Sequence, residues 1–184
     1  SICRGWRLAT MLRADLSQAA DIDRIAAHIL RQFKRVDVLC NNAAAFHQGL
    51  LREQDPALLL DELQANVWAP FLLTRALLPN MVERDYGRIV NLTSELAERP
   101  VLPFGSHGVS KAAFNQLTRY LALELEKTNV LVNGYDPGIV RTAMNPTATA
   151  MPEVAVPTAV HLAALPDDGP SGRFFDRQSN ELPW

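Results

Sequence analysis

The chain has 184 residues, 48% of them hydrophobic and 21% charged, with a formal net charge of -2. That length suits one domain with a real core, and the composition excludes a disordered polar chain. The charge balance offers no basic field to draw nucleic acid or an anionic membrane, so neither is an expected partner. Two cysteines, Cys3 and Cys40, do not make a disulfide framework or a metal site. No apolar run reaches the length of a membrane span and the start does not read as a signal peptide, so a reducing cytoplasm is the expected compartment.

In chain order, residues 8–14, LATMLRA, predict a short strand that Asp15-Leu16 ends. Ser17 is the expected N-cap of a helix to about Lys34, where Ile22, Ile25, Ala26, Ile29, Leu30 and Phe33 recur on one stripe. VDVLCN, 36–41, predicts a buried strand with Cys40 as a buried free thiol. Asp55-Pro56 opens a second helical region to about Arg84, which Pro70 is expected to kink or interrupt. The strand RIVNL, 88–92, an irregular loop with Pro100 and Pro103, and a long helix from about Ser106 to Lys127 follow. Residues 130–132 form a strand, 136–152 a Pro-rich loop, and Pro152 or Glu153 starts a short helix ending near Leu165. PDDGPSG is a turn and RFF, 173–175, a last short strand. Strands alternating with helices imply an α/β fold with a parallel sheet and crossover helices. Pro and Gly gather after the strands, where such a sheet builds its ligand site.

Six features carry chemistry in that order. Taken singly, Asp15 before a helix is a cap, Asn41-Asn42 a turn, Asn66 a helix residue bonded to backbone, and Ser94 a turn residue. Lys111 would be a solvated helix lysine and Pro137-Gly138 a turn. Their register argues otherwise. Ser94 closes the strand in RIVNLTS, His107 lies thirteen residues later, and Lys111 lies four beyond, on the same helical face as His107.

These segments resemble the short-chain dehydrogenase/reductase family, and the resemblance runs over almost the whole chain. It implies a Rossmann-type fold and hydride transfer between NAD(P)H and a carbonyl. Asp15 matches the acidic position that contacts adenine. Asn41-Asn42-Ala43-Ala44 resembles the NNAG loop that lines the cofactor, with Ala44 in place of glycine, a methyl that crowds the dinucleotide or demands an unfavourable φ. Asn66 matches the asparagine that supports a proton-relay water, Ser94 the hydroxyl that binds the substrate oxygen, and Lys111 the lysine that holds the nicotinamide ribose. Pro137-Gly138-Ile139 and Thr142 match PGxVxT, which holds the carboxamide. The tail LAALPDDGPSGRFFDRQSNELPW is similar to that of carbonyl-reductase-type members, which favours NADPH and a ketone, aldehyde or quinone substrate.

Two departures set expectations. The TGxxxGxG loop is not found, so the chain is expected to be an N-terminally truncated, partial Rossmann domain over residues 1–184. Residues 8–14 are then expected to pair directly with 36–41, the alternative being an open apolar edge. One sheet face should also lose helical cover. Second, His107 replaces the acid tyrosine. Beside Lys111 its ring should be neutral and a poor proton donor, so reductase activity is expected to be weak. The other reading is a pseudoenzyme or gene fragment that acts, if at all, by associating with homologues, as a homo-oligomer or otherwise, through the helices 56–84 and 105–127. His28, His47 and His161 share no metal-ligand spacing.

Overall fold

The structure, a computed structural model, describes residues 9–184. Helix α1, Ala19–Phe33, ends where Lys34 takes a left-handed conformation and returns its N–H to the Leu30 carbonyl. Strand β1, Val38–Asn41, leads to α2, Pro56–Leu63, capped by the Asp55 carboxylate with Pro56 in the first turn. A π-turn over Gln64–Trp68 joins α2 to α3, Ala69–Glu83. Pro70 has no N–H to give to the Asn66 carbonyl, and the ladder slips so that Ala69 N–H reaches Gln64. The expected interruption is thus a one-turn bulge, after which the helix continues.

Strand β2, Gly87–Leu92, passes through a short 3-10 turn at Glu95–Ala97 to α4, Gly105–Glu124. Strand β3, Val130–Tyr135, a 3-10 turn at Pro152–Ala155, α5, Val156–Ala163, and the two-residue strands β4, Phe174–Phe175, and β5, Glu181–Leu182, complete the chain. The sheet order is β1-β2-β3-β4-β5, parallel from β1 to β4, with β5 antiparallel at the edge. This is an α/β, Rossmann-like architecture with a mostly parallel sheet. Strand β5, and β3 beyond Val132, extend past the strands expected from sequence.

One face of the sheet, with Leu39, Ile89, Val130 and Val132, packs against Ala26 of α1, Leu77 and Met81 of α3, and Leu121 and Ala122 of α4. The other face, with Val90, Leu131 and Tyr135, is covered by Leu162 and Leu165 at α5. Trp184 stacks on Phe174 and donates its indole N–H to the Gly172 carbonyl, closing the β5 end.

Three expectations are corrected. Residues 9–14 form no strand and do not pair with 36–41; Leu8 and Cys3 lie outside the described residues. The backbone leading into α1 bonds to that helix instead: Arg24 donates to the Arg13 carbonyl and Asp21 accepts the Asp15 N–H. Cys40 is exposed, not buried. It alternates with Leu39 onto the β1 face that no described helix covers, together with Val38, which is 40% exposed. Ser17 is not the N-cap of α1; Gln18 holds that position, while the Ser17 N–H closes a turn on the Asp15 carboxylate.

Candidate active site

The C-terminal ends of β1, β2 and β3 and the first turns of α4 form the candidate site. Lys111, 5% exposed, reaches back across the sheet end and donates to the Leu92 carbonyl at 2.7 Å. Two residues beyond Leu92, the half-buried Ser94 caps the 3-10 turn by accepting the Leu96 N–H, which leaves its hydroxyl proton free to donate. Gly108 packs against the Leu96 carbonyl, so the start of α4 lies directly on the serine's turn. Burial lowers the Lys111 pKa to about 8, against the opposing pull of Glu62 and Asp136.

His107 lies one turn before Lys111 and is 8% exposed. Phe46 stands edge-on to the imidazole at 5.0 Å and itself meets Phe104 at 5.6 Å. Burial first, then the Lys111 charge, pushes the imidazole pKa down to about 4, while the Ala45 carbonyl works in the opposite direction. The ring is therefore neutral, as the sequence reading expects, although burial outweighs the lysine.

Asn66 occupies the π-turn, 1% exposed. Its oxygen accepts the Ala45 N–H, and its amide donates to the Ala45 carbonyl and to Ser110 Oγ of α4. It ties the loop after β1 to the helix that carries His107 and Lys111. Asn41 is buried and points inward, donating to Asn91 at 2.8 Å and Thr74 at 3.2 Å. Ala43 is exposed at the loop surface. Ala44 is not among the residues with positive φ, so the alanine in place of glycine carries no backbone strain.

After β3, Gly138 adopts φ +64 and gives its N–H to the Asp136 carboxylate. Pro137 is half-buried, whereas Gly138, Ile139 and Thr142 are exposed. Asp136 is pushed above the ordinary carboxylate range, first by burial and also by the charge of Glu95. Asp15 is exposed, engaged in its turn with Ser17, and stands at the start of α1. The structure thus gathers Asn66, Ser94, His107 and Lys111 around the β2 end and leaves the 137–142 loop open beside them.

Glu62 was not singled out from sequence. It is fully buried in α2, with its carboxylate directed at α4. Its signal was faint: an acid in a leucine-rich segment, one turn ahead of Asn66 and thus on the same helical face.

Comparison with known proteins gives consistent results. The family model described as short chain dehydrogenase matches residues 5–153. The bovine protein named Dehydrogenase/reductase SDR family member 4 is 38% identical over 133 residues, 71% of this chain and 47% of its own. A short chain dehydrogenase from Salmonella enterica serovar Typhi superposes with a TM-score of 0.82 at 30% identity, over 89% of this chain and 72% of its own. A Shigella flexneri protein described as a short chain dehydrogenase complexed with NADP superposes with a TM-score of 0.85 at 28% identity, over 94% and 76%. The chain spans about half the length of the curated relatives it matches.

Proposed function

The chain belongs to the short chain dehydrogenase family of oxidoreductases, and from that premise we propose that it reduces a small carbonyl compound with NAD(P)H, NADPH being the favoured donor. A bound dinucleotide supplies the hydride. The residues fit its nicotinamide end. Lys111 has three N–H donors and, among the described residues, is held by the Leu92 carbonyl alone, which leaves two for the ribose hydroxyls. Pro137, Gly138, Ile139 and Thr142 form an accessible rim beside it, Asn41 and Ala43 begin the loop assigned to the cofactor crevice, and Asp15 is the assigned adenine contact.

Ser94 directs a free hydroxyl proton at the carbonyl oxygen, where negative charge collects in the transition state. Asn66 holds the loop and the helix in register and supports proton resupply through Lys111. His107 occupies the place of the proton donor. Being neutral and buried, it makes slow turnover the expected property of this site.

The observation that carries this reading is the Lys111–Leu92 hydrogen bond, which sets the ammonium at the β2 end two residues from Ser94. Calorimetric titration with NADPH and with NADH tests it. Binding that Lys111→Met abolishes is the expected result; no heat with either dinucleotide removes the reading.

A second reading, association in place of catalysis, is favoured by one feature. Phe71, Thr74, Leu78 and Val82 of α3 and Leu121 of α4 line an open apolar groove, within the helices 56–84 and 105–127. We assign that groove to a second copy or a homologue. Cytoplasmic residence belongs to the same proposal: among the described residues no helix is long and apolar enough to cross a membrane, and Cys40 forms no disulfide.

A further inference from the structure

Opposite His107 lies a buried carboxyl group that the mechanism above does not use. Glu62 Oε1 accepts the His47 N–H at 2.6 Å and the Ser106 hydroxyl at 3.1 Å. Oε2 is different. Its nearest hydroxyl, Ser110 Oγ at 3.4 Å, stands closer to the His107 carbonyl, at 2.9 Å. The remaining neighbour of Oε2 is His107 Nδ1 at 3.5 Å, and that nitrogen is buried with no hydrogen-bond partner among the described residues. One carboxyl oxygen without a committed donor therefore faces one ring nitrogen without a partner. In unliganded sites such contacts are long and tighten when substrate arrives.

We infer that Glu62 is a positioning residue for His107, a carboxylic acid that holds the imidazole as the Nε2–H tautomer and passes it a proton as Nε2 gives its own to the substrate. This rests on the carbonyl-reductase reading. Hydride arriving at the carbonyl carbon leaves an alkoxide on oxygen, and the dinucleotide is oxidised. The Nε2–H proton moves to that oxygen while Nδ1 takes the proton from Glu62 Oε2. Imidazole remains neutral throughout with its tautomer exchanged, and Glu62 ends as a carboxylate. No imidazolium forms, which removes the objection that a neutral histidine beside a lysine cannot deliver a proton. The new carboxylate is stabilised by the donors on Oε1 and by the Lys111 charge. Burial raises the Glu62 pKa from its ordinary carboxylate value, against the donors on its oxygens, which lower it. The charged and titratable groups around the pair are Lys111 on α4, with Asp136 beside it after β3, and His47 on the loop after β1, which is paired at 2.7 Å with Asp61 of α2.

The test reads protons before it reads turnover. In the full chain, 15N shifts of His107 and 13C shifts of the Glu62 carboxyl are followed from pH 5 to 9 with no cofactor present. The expected result is an Nε2–H imidazole, a Glu62 carboxyl still protonated where exposed glutamates are ionised, and a shared inflection in both signals. Glu62→Gln should shift the Nδ1 resonance. An Nδ1–H tautomer, or a Glu62 that titrates like an exposed glutamate without a response at His107, overturns the proposal. The unaltered chain decides this even if the variant does not fold. The kinetic arm uses NADPH and a generic ketone. Glu62→Gln should slow the His107 chain by about tenfold or more and leave a His107→Tyr chain unchanged; equal losses in both make Glu62 merely structural. Coupled shifts with no turnover in any variant keep the proton-sharing pair and remove the hydride-transfer reading.

Discussion

Gly108 and Leu96 are in backbone contact: a Cβ on Gly108 would stand 2.8 Å from the Leu96 carbonyl oxygen. That oxygen belongs to the turn Ser94 caps, and Gly108 separates His107 from the rest of α4. The spacing between serine and helix is therefore set by the missing side chain. Gly108→Ala should push the two apart, lower stability by about 1–3 kcal/mol and reduce turnover through kcat more than through cofactor affinity. Chemical denaturation together with steady-state kinetics checks it. An unchanged kcat would show that the turn and the helix are not coupled.

His107→Tyr restores a phenol at the acid position. A positioned general acid contributes about a hundred- to ten-thousand-fold, so turnover of a generic ketone with NADPH should rise markedly within that range. Equal rates for the two forms would mean that proton delivery does not limit this site.

The His107 pKa also has a consequence for stability. The folded chain holds it near 4 against an ordinary 6.5. Between those values the unfolded chain binds a proton that the folded chain refuses, so this group's contribution is complete above 6.5 and lost as pH falls toward 4. At about 1.4 kcal/mol per pH unit the loss approaches about 3 kcal/mol. Glu62, with its raised pKa, slopes the other way above its ordinary value of 4.5, so the comparison must be between variants. His107→Phe should lose less stability than the unaltered chain between pH 7 and pH 4.5 in urea titrations. Parallel losses would place the imidazole in water.

Helices and parallel strands were readable because their signals are local: the stripe Ile22, Ile25, Ala26 of α1, the apolar runs of β2 and β3, and Pro56 in the first turn of α2. The register from Ser94 to His107 to Lys111 was equally legible, since an α-helix fixes the last two on one face. The failures were tertiary. Residues 9–14 have an acceptable strand pattern, but the Arg13 carbonyl is bonded by Arg24 and the next turn, at Asp15, by Asp21. Cys40 has an apolar neighbourhood in sequence, yet burial depends on what covers the sheet face. Glu62 could be found only once α2 had been folded onto α4, because Ser106 and Ser110 lie more than forty residues away.

The groove between α3 and α4 predicts a measurable assembly. Val82 lines it and is 40% exposed, so a charge there should not disturb the core but would be desolvated in a contact between copies. Val82→Glu should weaken self-association by more than about tenfold and leave the far-UV spectrum unchanged. Sedimentation velocity across a concentration series reads this directly. A chain that stays monomeric at every concentration removes the copy-to-copy assignment.

Asn66 separates architecture from chemistry. Its amide satisfies both the N–H and the carbonyl of Ala45 and also Ser110 Oγ, and the residue itself is only 1% exposed. Asn66→Leu keeps the volume and strands those partners, and buried unsatisfied groups cost about 1–3 kcal/mol each. Because Ala45 leads directly to Phe46, which packs on His107, the loss should be felt in the loop first. Faster amide exchange over residues 44–49 is expected, with β2 and β3 still protected. Asn66→Asp preserves the acceptor for the Ala45 N–H and removes the two donations, so it should fall between the unaltered chain and Asn66→Leu. If both variants exchange like the unaltered chain, the asparagine is not what holds the loop over His107.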